Sequence, residues 1–371
     1  MVDLKGQYDD IQNQIDDKIK EVITSTYFIK GPELQEFEKE LANYLKIKHV
    51  ITCGNGTDAL QIAMMGLDLK PGDEVITVDF TFAATVEVIG LLRLTPVLVD
   101  VDLDTFNIDL KRLEEAITSK TKAIVPVHLF GQCANMEGIL KIAKKHNLFV
   151  IEDNAQSIGA DYIFSNGKRV KAGTMGKVGT TSFFPSKNLG AYGDGGALFT
   201  NDDELAIKLK SIINHGMSKR YHYDRLGVNS RLDSIQAAVL RIKLPLLDSY
   251  ANARQEVAAY YDKAFKDCKK IKIPKRDSFS THVFHQYTLK VSEENRDKLH
   301  KYLLENDIPN AIYYPIPLHQ QEAYKHFIFN SERLAVSKEL SKTVLSLPIH
   351  TELETEQLAY ITSKVLNFFN K

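Results

Sequence analysis

Residues 49–201 repeat one rhythm: a short apolar run, a turn, then a stretch with helical spacing. The runs are HVITC at 49–53, EVITV at 74–78, TPVLVDV at 95–101, KAIVPVHL at 122–129, LFVIED at 148–153, GTTSFF at 179–184 and GALFTN at 196–201. Between them, residues 57–67, 83–93, 109–117 and 135–146 space their apolar side chains as helices do. Strands alternating with helices form βαβ units, which build a mostly parallel sheet with helices on both faces. The runs are continuously apolar, as strands buried on both sides require. The fold class is therefore α/β.

Two helices are expected ahead of this region, at 8–24 (Ile11, Ile15, Ile19 and Ile23 on one face) and at 32–46 (Leu34, Phe37, Leu41, Leu45). Beyond about residue 250 the rhythm changes. A long helix over 231–266, interrupted near Pro245, leads to a strand-like HVFHQYTLKV at 282–291. A helix at 293–306, the loop YYPIPLH at 313–319, an apolar TVLSLPI at 343–349 and a helix at 354–369 follow. With 371 residues, two domains are expected: 1–248 around the sheet, and a smaller α+β unit at 249–371.

Lys plus Arg number 47 against 48 Asp plus Glu. That balance argues against a protein built to coat nucleic acid or an anionic membrane. No apolar stretch approaches the length of a membrane span, and the charged N-terminus lacks a signal-peptide core, so a cytoplasmic protein is expected. Cys53, Cys133 and Cys268 lie far apart, which signals neither a metal site nor a disulfide framework.

In open α/β folds, ligands bind at the carboxyl ends of the strands. Gly54-Asn55-Gly56-Thr57-Asp58 follows the first run and opens a helix, an arrangement that suits a phosphate or simply a turn capped by Thr57 or Asp58. Asp153 ends a buried strand, where it either meets a positive ligand group or, with Asn154, caps the next helix. Lys187 sits in a loop with Gly190, Gly193, Gly195 and Gly196, either as a partly buried amine nucleophile or as a solvated surface lysine. Ser182 lies five residues before it and could donate to a phosphate. Asn229, Arg231 and Asp233 precede a helix, with a structural ion pair as the plainer role for the last two.

Taken together, GNGTDAL (54–60), TFAAT (81–85), EDNAQSIGA (152–160), SFFPSKNLGAYGDGG (182–196), GVNSRLDSIQAA (227–238) and YPIPLHQQ (314–321) resemble the DegT/StrS-type sugar aminotransferases. Each motif is weak alone; six in order over the whole chain are specific. The resemblance implies a fold-type I architecture and pyridoxal 5'-phosphate as cofactor. Lys187 matches the lysine that bonds to the cofactor and moves the proton. Asp153 matches the partner of the pyridine nitrogen, Gln156 the residue beside the phenolic oxygen, and Phe82 the aromatic stacked on the ring. Gly56, Thr57 and Ser182 match the phosphate cradle. Asn229 matches a residue that reaches the phosphate from the neighbouring subunit, which implies a homodimer with shared active sites. A related dehydratase carries histidine in place of the lysine; here the lysine is present.

The implied reaction is ping-pong transfer of an amino group from an amino acid, by resemblance L-glutamate, to a keto sugar on a nucleotide. VHLFGQCANM and RYHYDRLGVNSRLD look closest to the branch that aminates C3 of UDP-2-acetamido-2-deoxy-3-oxo-glucuronate for surface polysaccharide such as O-antigen. Among Arg231, Arg220 and Arg225, Arg231 is the preferred partner for the uronate carboxylate. Relatives often carry His-Tyr-Pro where this chain has Tyr313-Tyr314-Pro, so these two tyrosines are the candidate sugar contacts. The alternatives are a 3- or 4-oxo-6-deoxy sugar substrate, and a non-catalytic regulatory protein that binds the cofactor; no helix-turn-helix signal supports the last.

Overall fold

The computed structural model describes residues 1–370. Seven strands form the central sheet: β1 (His49–Cys53), β2 (Glu74–Val78), β3 (Thr95–Val99), β4 (Thr121–Val125), β5 (Phe149–Asp153), β6 (Val178–Ser182) and β7 (Gly196–Thr200). Their spatial order is β1-β7-β6-β5-β4-β2-β3. Neighbours from β3 through β6 run parallel, while β7 is antiparallel to both β1 and β6. The seven apolar runs are the seven strands, and the sheet is mostly parallel as expected.

Alternate side chains along each strand enter different cores, as a pleat demands. Counting the N-terminal helices Leu4–Ser25 and Pro32–Leu45 as α1 and α2, Ile51, Val75, Ile151 and Leu198 pack with α3 (Gly56–Gly66), α4 (Ala84–Leu91) and the helix Asp203–Ile212. Ile76, Ile124 and Val150 pack on the other face with the helix Met136–His146. On that face also, Val50, Ala197 and Phe199 meet the helices Pro32–Leu45 and Ser234–Lys243. Pro32 starts its helix at a position where a missing N–H costs nothing, and Leu34, Phe37, Leu41 and Leu45 are all buried.

Three expectations need correction. The helix at the N-terminus spans Leu4–Ser25, and Ile11 and Ile15 pack against Val239, but Ile23 is 52% exposed. In the last turn the buried position falls on Val22, because a strict four-residue spacing drifts off the inner face of a helix with 3.6 residues per turn. The long helix is two, Ser234–Lys243 and Leu247–Phe265, joined by a tight turn at Leu244–Leu246 that contains Pro245. The strand-like 282–291 run is a strand only over Tyr287–Lys290, paired antiparallel with Val344–Leu347. Its first half spends backbone groups elsewhere: Val283 N–H donates to Gly131 O and Gln286 N–H to Phe130 O.

That two-stranded unit, with the helices Leu247–Phe265, Glu293–Leu304 and Thr355–Phe369, encloses a separate core around Tyr261, Tyr287, Leu299, Leu345 and Val365.

Candidate active site

A cavity of about 570 Å³ opens at the carboxyl ends of the parallel strands. This is an ordinary volume for a small-molecule site. Gly56, Thr57, Phe82, Asp153, Gln156, Ser182, Lys187, Tyr313 and Tyr314 all lie on its wall. Nine of the eleven residues singled out in the sequence are thus brought together from five stretches of the chain. Asn229 and Arg231 are not on that wall. Asn229 is exposed, and the Ser230 between them accepts from Gly54 N–H at 2.9 Å and donates to Asp58 at 2.6 Å.

The start of α3 is built for an anion. Asn55, not Thr57 or Asp58, is its cap, accepting from Asp58 N–H at 2.8 Å. The amides of Gly56 and Thr57 belong to the first turn and have no intrahelical partner. Gly56 is required because a Cβ there would sit 2.7 Å from Ser182 Cβ. That close approach puts the helix start beside the end of β6, where Ser182 stands.

Asp153 ends β5 and is 6% exposed. No helix follows it, so the capping alternative fails. Its carboxylate accepts from Thr85 Oγ1 at 2.8 Å and from Ala155 N–H at 3.2 Å. No protein cation forms a salt bridge with it among the described residues. A buried carboxylate so placed is stabilised by a cationic ligand group. Behind it, Glu152 is wholly buried and accepts from Gly173 N–H, Met175 N–H, Gly176 N–H and His128 Nε2. His128 Nδ1 accepts from Ala134 N–H at 3.1 Å, so Nε2 is the nitrogen that donates to Glu152.

Lys187 lies in the loop after β6. Burial holds its amine down to about 8 from the ordinary lysine range, opposed by the charge of Asp153. A fraction of free amine near neutral pH is what a lysine nucleophile needs. Lys243, itself buried, donates to Gly190 O at 2.8 Å and ties that glycine loop to the helix Ser234–Lys243. Gln156 accepts from Phe130 N–H at 2.8 Å and donates to Tyr314 Oη at 3.1 Å. Phe82 is 59% exposed, with its ring free for a planar ligand.

The site fits a phosphorylated, cationic, planar aldehyde: an anion cradle, an aromatic face, a carboxylate in no salt bridge and an amine with lowered basicity share one wall. Sequence reasoning missed Thr85 and His285. Thr85 stood in a quoted motif and carried no separate signal. His285 was read as part of a strand, and nothing in a lone histidine marks it as cavity-facing.

Residues 9–366 match the DegT/DnrJ/EryC1/StrS aminotransferase family. The chain belongs to this family. It is 46% identical over 371 residues to the "Pleiotropic regulatory protein" of Geobacillus stearothermophilus, covering 100% of this chain and 98% of that one. It is 45% identical over 366 residues to the UDP-2-acetamido-2-deoxy-3-oxo-D-glucuronate aminotransferase of Pseudomonas aeruginosa, covering 99% of each. A crystal structure of a family aminotransferase from Brucella abortus superposes with a TM-score of 0.95 at 43% identity, covering 100% of this chain and 99% of that one. The protein is a pyridoxal-phosphate-dependent aminotransferase with the family's α/β fold. No helix among the described residues is long and apolar enough to cross a membrane.

Proposed function

We propose that this aminotransferase moves an amino group from L-glutamate to C3 of UDP-2-acetamido-2-deoxy-3-oxo-D-glucuronate, supplying an amino sugar for surface polysaccharide such as O-antigen lipopolysaccharide. The observation that carries the reaction is one cavity holding the Lys187 amine, lowered to about 8, and the carboxylate of Asp153. The sugar rests on the near full-length similarity to the Pseudomonas aeruginosa enzyme of that name.

When bound, pyridoxal phosphate supplies an electron sink for breaking the donor's α-carbon–hydrogen bond. Asp153, held by Thr85, would stabilise positive charge on the pyridine nitrogen. Phe82 would cover the ring, Gln156 would sit at the phenolic oxygen, and Gly56, Thr57 and Ser182 would take the phosphate. The Lys187 amine, once free, would take the proton from the donor's α-carbon and hand it to the cofactor's imine carbon, and in the second half-reaction would carry a proton from that carbon to the sugar's C3, serving as both base and acid.

Tyr313 and Tyr314 contact the sugar. Asn229 and Arg231 act from a second copy, Asn229 on the phosphate and Arg231 on the uronate carboxylate, in a cytoplasmic homodimer. Support for the second copy comes from their absence from their own chain's cavity and from exposed apolar side chains nearby. Leu226 is 89% exposed, and Tyr221, Tyr223 and Tyr27 are exposed as well. In this reading residues 1–248 form the cofactor-binding unit and 249–371 the smaller one.

The test offers the purified protein glutamate with the UDP-linked 3-oxo-uronate, and in parallel with 3- and 4-oxo-6-deoxy sugars on dTDP or UDP. Turnover confined to the uronate supports the proposal; turnover confined to the 6-deoxy sugars replaces its substrate. The regulatory relative raises a second reading. Specific DNA binding without any glutamate-dependent turnover would favour it.

A further inference from the structure

His285 lines the cavity with Lys187, Gln156 and Tyr314, and is 7% exposed. Its Nδ1 is enclosed with no partner among the described residues. A buried imidazole nitrogen without a partner carries a desolvation cost, and such groups in native proteins call for an explanation.

The fold also fastens the main chain around His285 to both sides of the reacting centre. Asn188, the residue after Lys187, donates from Nδ2 to Val283 O at 2.8 Å. On the other side, Val283 N–H donates to Gly131 O at 2.9 Å and Gln286 N–H to Phe130 O at 3.3 Å. The Phe130 N–H in turn is held by Gln156 Oε1. Gly131 has φ +111°, and a Cβ there would lie 2.7 Å from Phe284 N and 2.9 Å from His285 N. The backbone strap at 283–286 is therefore locked between the lysine loop and the Gln156 loop, and its histidine ring is delivered to the cavity.

No hydrogen bond joins the two side chains in this structure; we infer that His285 is a positioning residue for Lys187, its ring accepting a hydrogen bond when the lysine side chain turns its amine toward the carbon it deprotonates. The inference rests on Lys187 being the reacting amine. No proton is transferred to the ring. The proton stays on the lysine nitrogen, and the imidazole lone pair directs it. Burial, and then the positive charges of Lys187 and Arg254, hold His285 well below its ordinary range, so the ring stays neutral and keeps an acceptor nitrogen. Arg254 stands behind the strap, donating from Nη1 to Phe284 O at 3.2 Å and to Ile349 O at 2.9 Å. The other titratable groups on the cavity wall are Asp58, Asp153, Asp194, Tyr313 and Tyr314.

The test compares His285→Leu, which removes both nitrogens, with His285→Gln, which keeps an acceptor. In the cofactor-free protein, the pH dependence of Lys187 labelling by acetic anhydride is followed by peptide mass spectrometry. A hydrogen bond to the ammonium favours the charged form, so losing it lowers the labelling midpoint by about one pH unit in His285→Leu and by less in His285→Gln. In the loaded protein, the single-turnover rate with glutamate falls roughly 10- to 100-fold in His285→Leu with KM little changed, and His285→Gln recovers part of it.

An unchanged labelling midpoint together with an unchanged single-turnover rate overturns the inference. So does equal impairment of both variants with a lowered melting temperature, which would mark a packing role. Borohydride fixation of the cofactor onto Lys187 in the unsubstituted protein is read separately, so a failure of the lysine assignment would be distinguished from a failure of the histidine's role.

Discussion

At Asp153, two protein donors hold a carboxylate that forms no salt bridge among the described residues. Thr85→Val keeps the shape and removes the hydroxyl that donates to Oδ2 at 2.8 Å. The charged form then loses a buried hydrogen bond worth roughly 1–3 kcal/mol. Cofactor affinity should weaken about tenfold, as measured by titrating the apoprotein with pyridoxal phosphate and following visible absorbance. A change below twofold would mean Thr85 is a packing residue.

Lys187 gives the pH prediction. Its amine should label half-maximally near pH 8 in the apoprotein, against about 10.4 for an ordinary lysine. The sign for stability follows. The folded chain binds this proton more weakly than the unfolded chain, so the group opposes folding at low pH. The opposition fades as pH rises above about 8 and is gone beyond the unfolded value. Denaturant unfolding of Lys187→Met should therefore show a gain in stability at pH 7 that shrinks toward pH 10. Residues of this kind were legible because their chemistry is local: a lysine among glycines and an acid closing an apolar run are visible as strings. His285 was not, because its importance comes from a strap closed against Phe130 and Gly131, more than 150 residues away along the chain.

The elements were legible wherever periodicity was set by burial alone. The helix Pro32–Leu45 and all seven strands were read within a few residues, because apolar spacing directly encodes which face is covered. The exceptions have a common cause in partners that are remote in sequence. His282–Gln286 alternates like a strand, yet the amides of Val283 and Gln286 are taken by the loop at 130–131 and that of Phe284 by the His282 ring. The antiparallel direction of β7 could not be read, because a buried strand has the same texture in either direction.

At α3, the contact between elements can be tested directly. Gly56→Ala places a Cβ 2.7 Å from Ser182 Cβ and 3.2 Å from Ser182 Cα, and a backbone-fixed neighbour cannot swing aside. The helix start must move off the end of β6, at a strain of about 1–3 kcal/mol. Apparent affinity for pyridoxal phosphate should drop by roughly tenfold or more, while pyridoxal lacking the phosphate should bind as before. Equal loss for both ligands would place the damage elsewhere in the cavity.

For the whole molecule, the question is whether one chain holds a complete site. Asn229 and Arg231 sit in sequence beside a segment pinned to α3, yet outside the cavity that α3 helps to form. If they serve a second copy, Lys187→Ala and Asn229→Ala damage the same site through different chains. Each homodimer then carries two defective sites. In a mixed dimer, both lesions fall on one site, and the other combines an intact Lys187 with an intact Asn229. Random exchange of equal amounts makes half the dimers mixed, so about one quarter of the unsubstituted activity should return on mixing. If Asn229 instead served its own chain, every site in every mixture would keep one lesion, and mixing would restore nothing beyond the average of the two parents. The measurement is glutamate-dependent turnover after the two variants are co-refolded or incubated long enough to exchange. A parallel sample with Phe82→Ala in place of Asn229→Ala applies the same test to Phe82, which already lies on the same wall as Lys187 and whose mixture should therefore show no recovery.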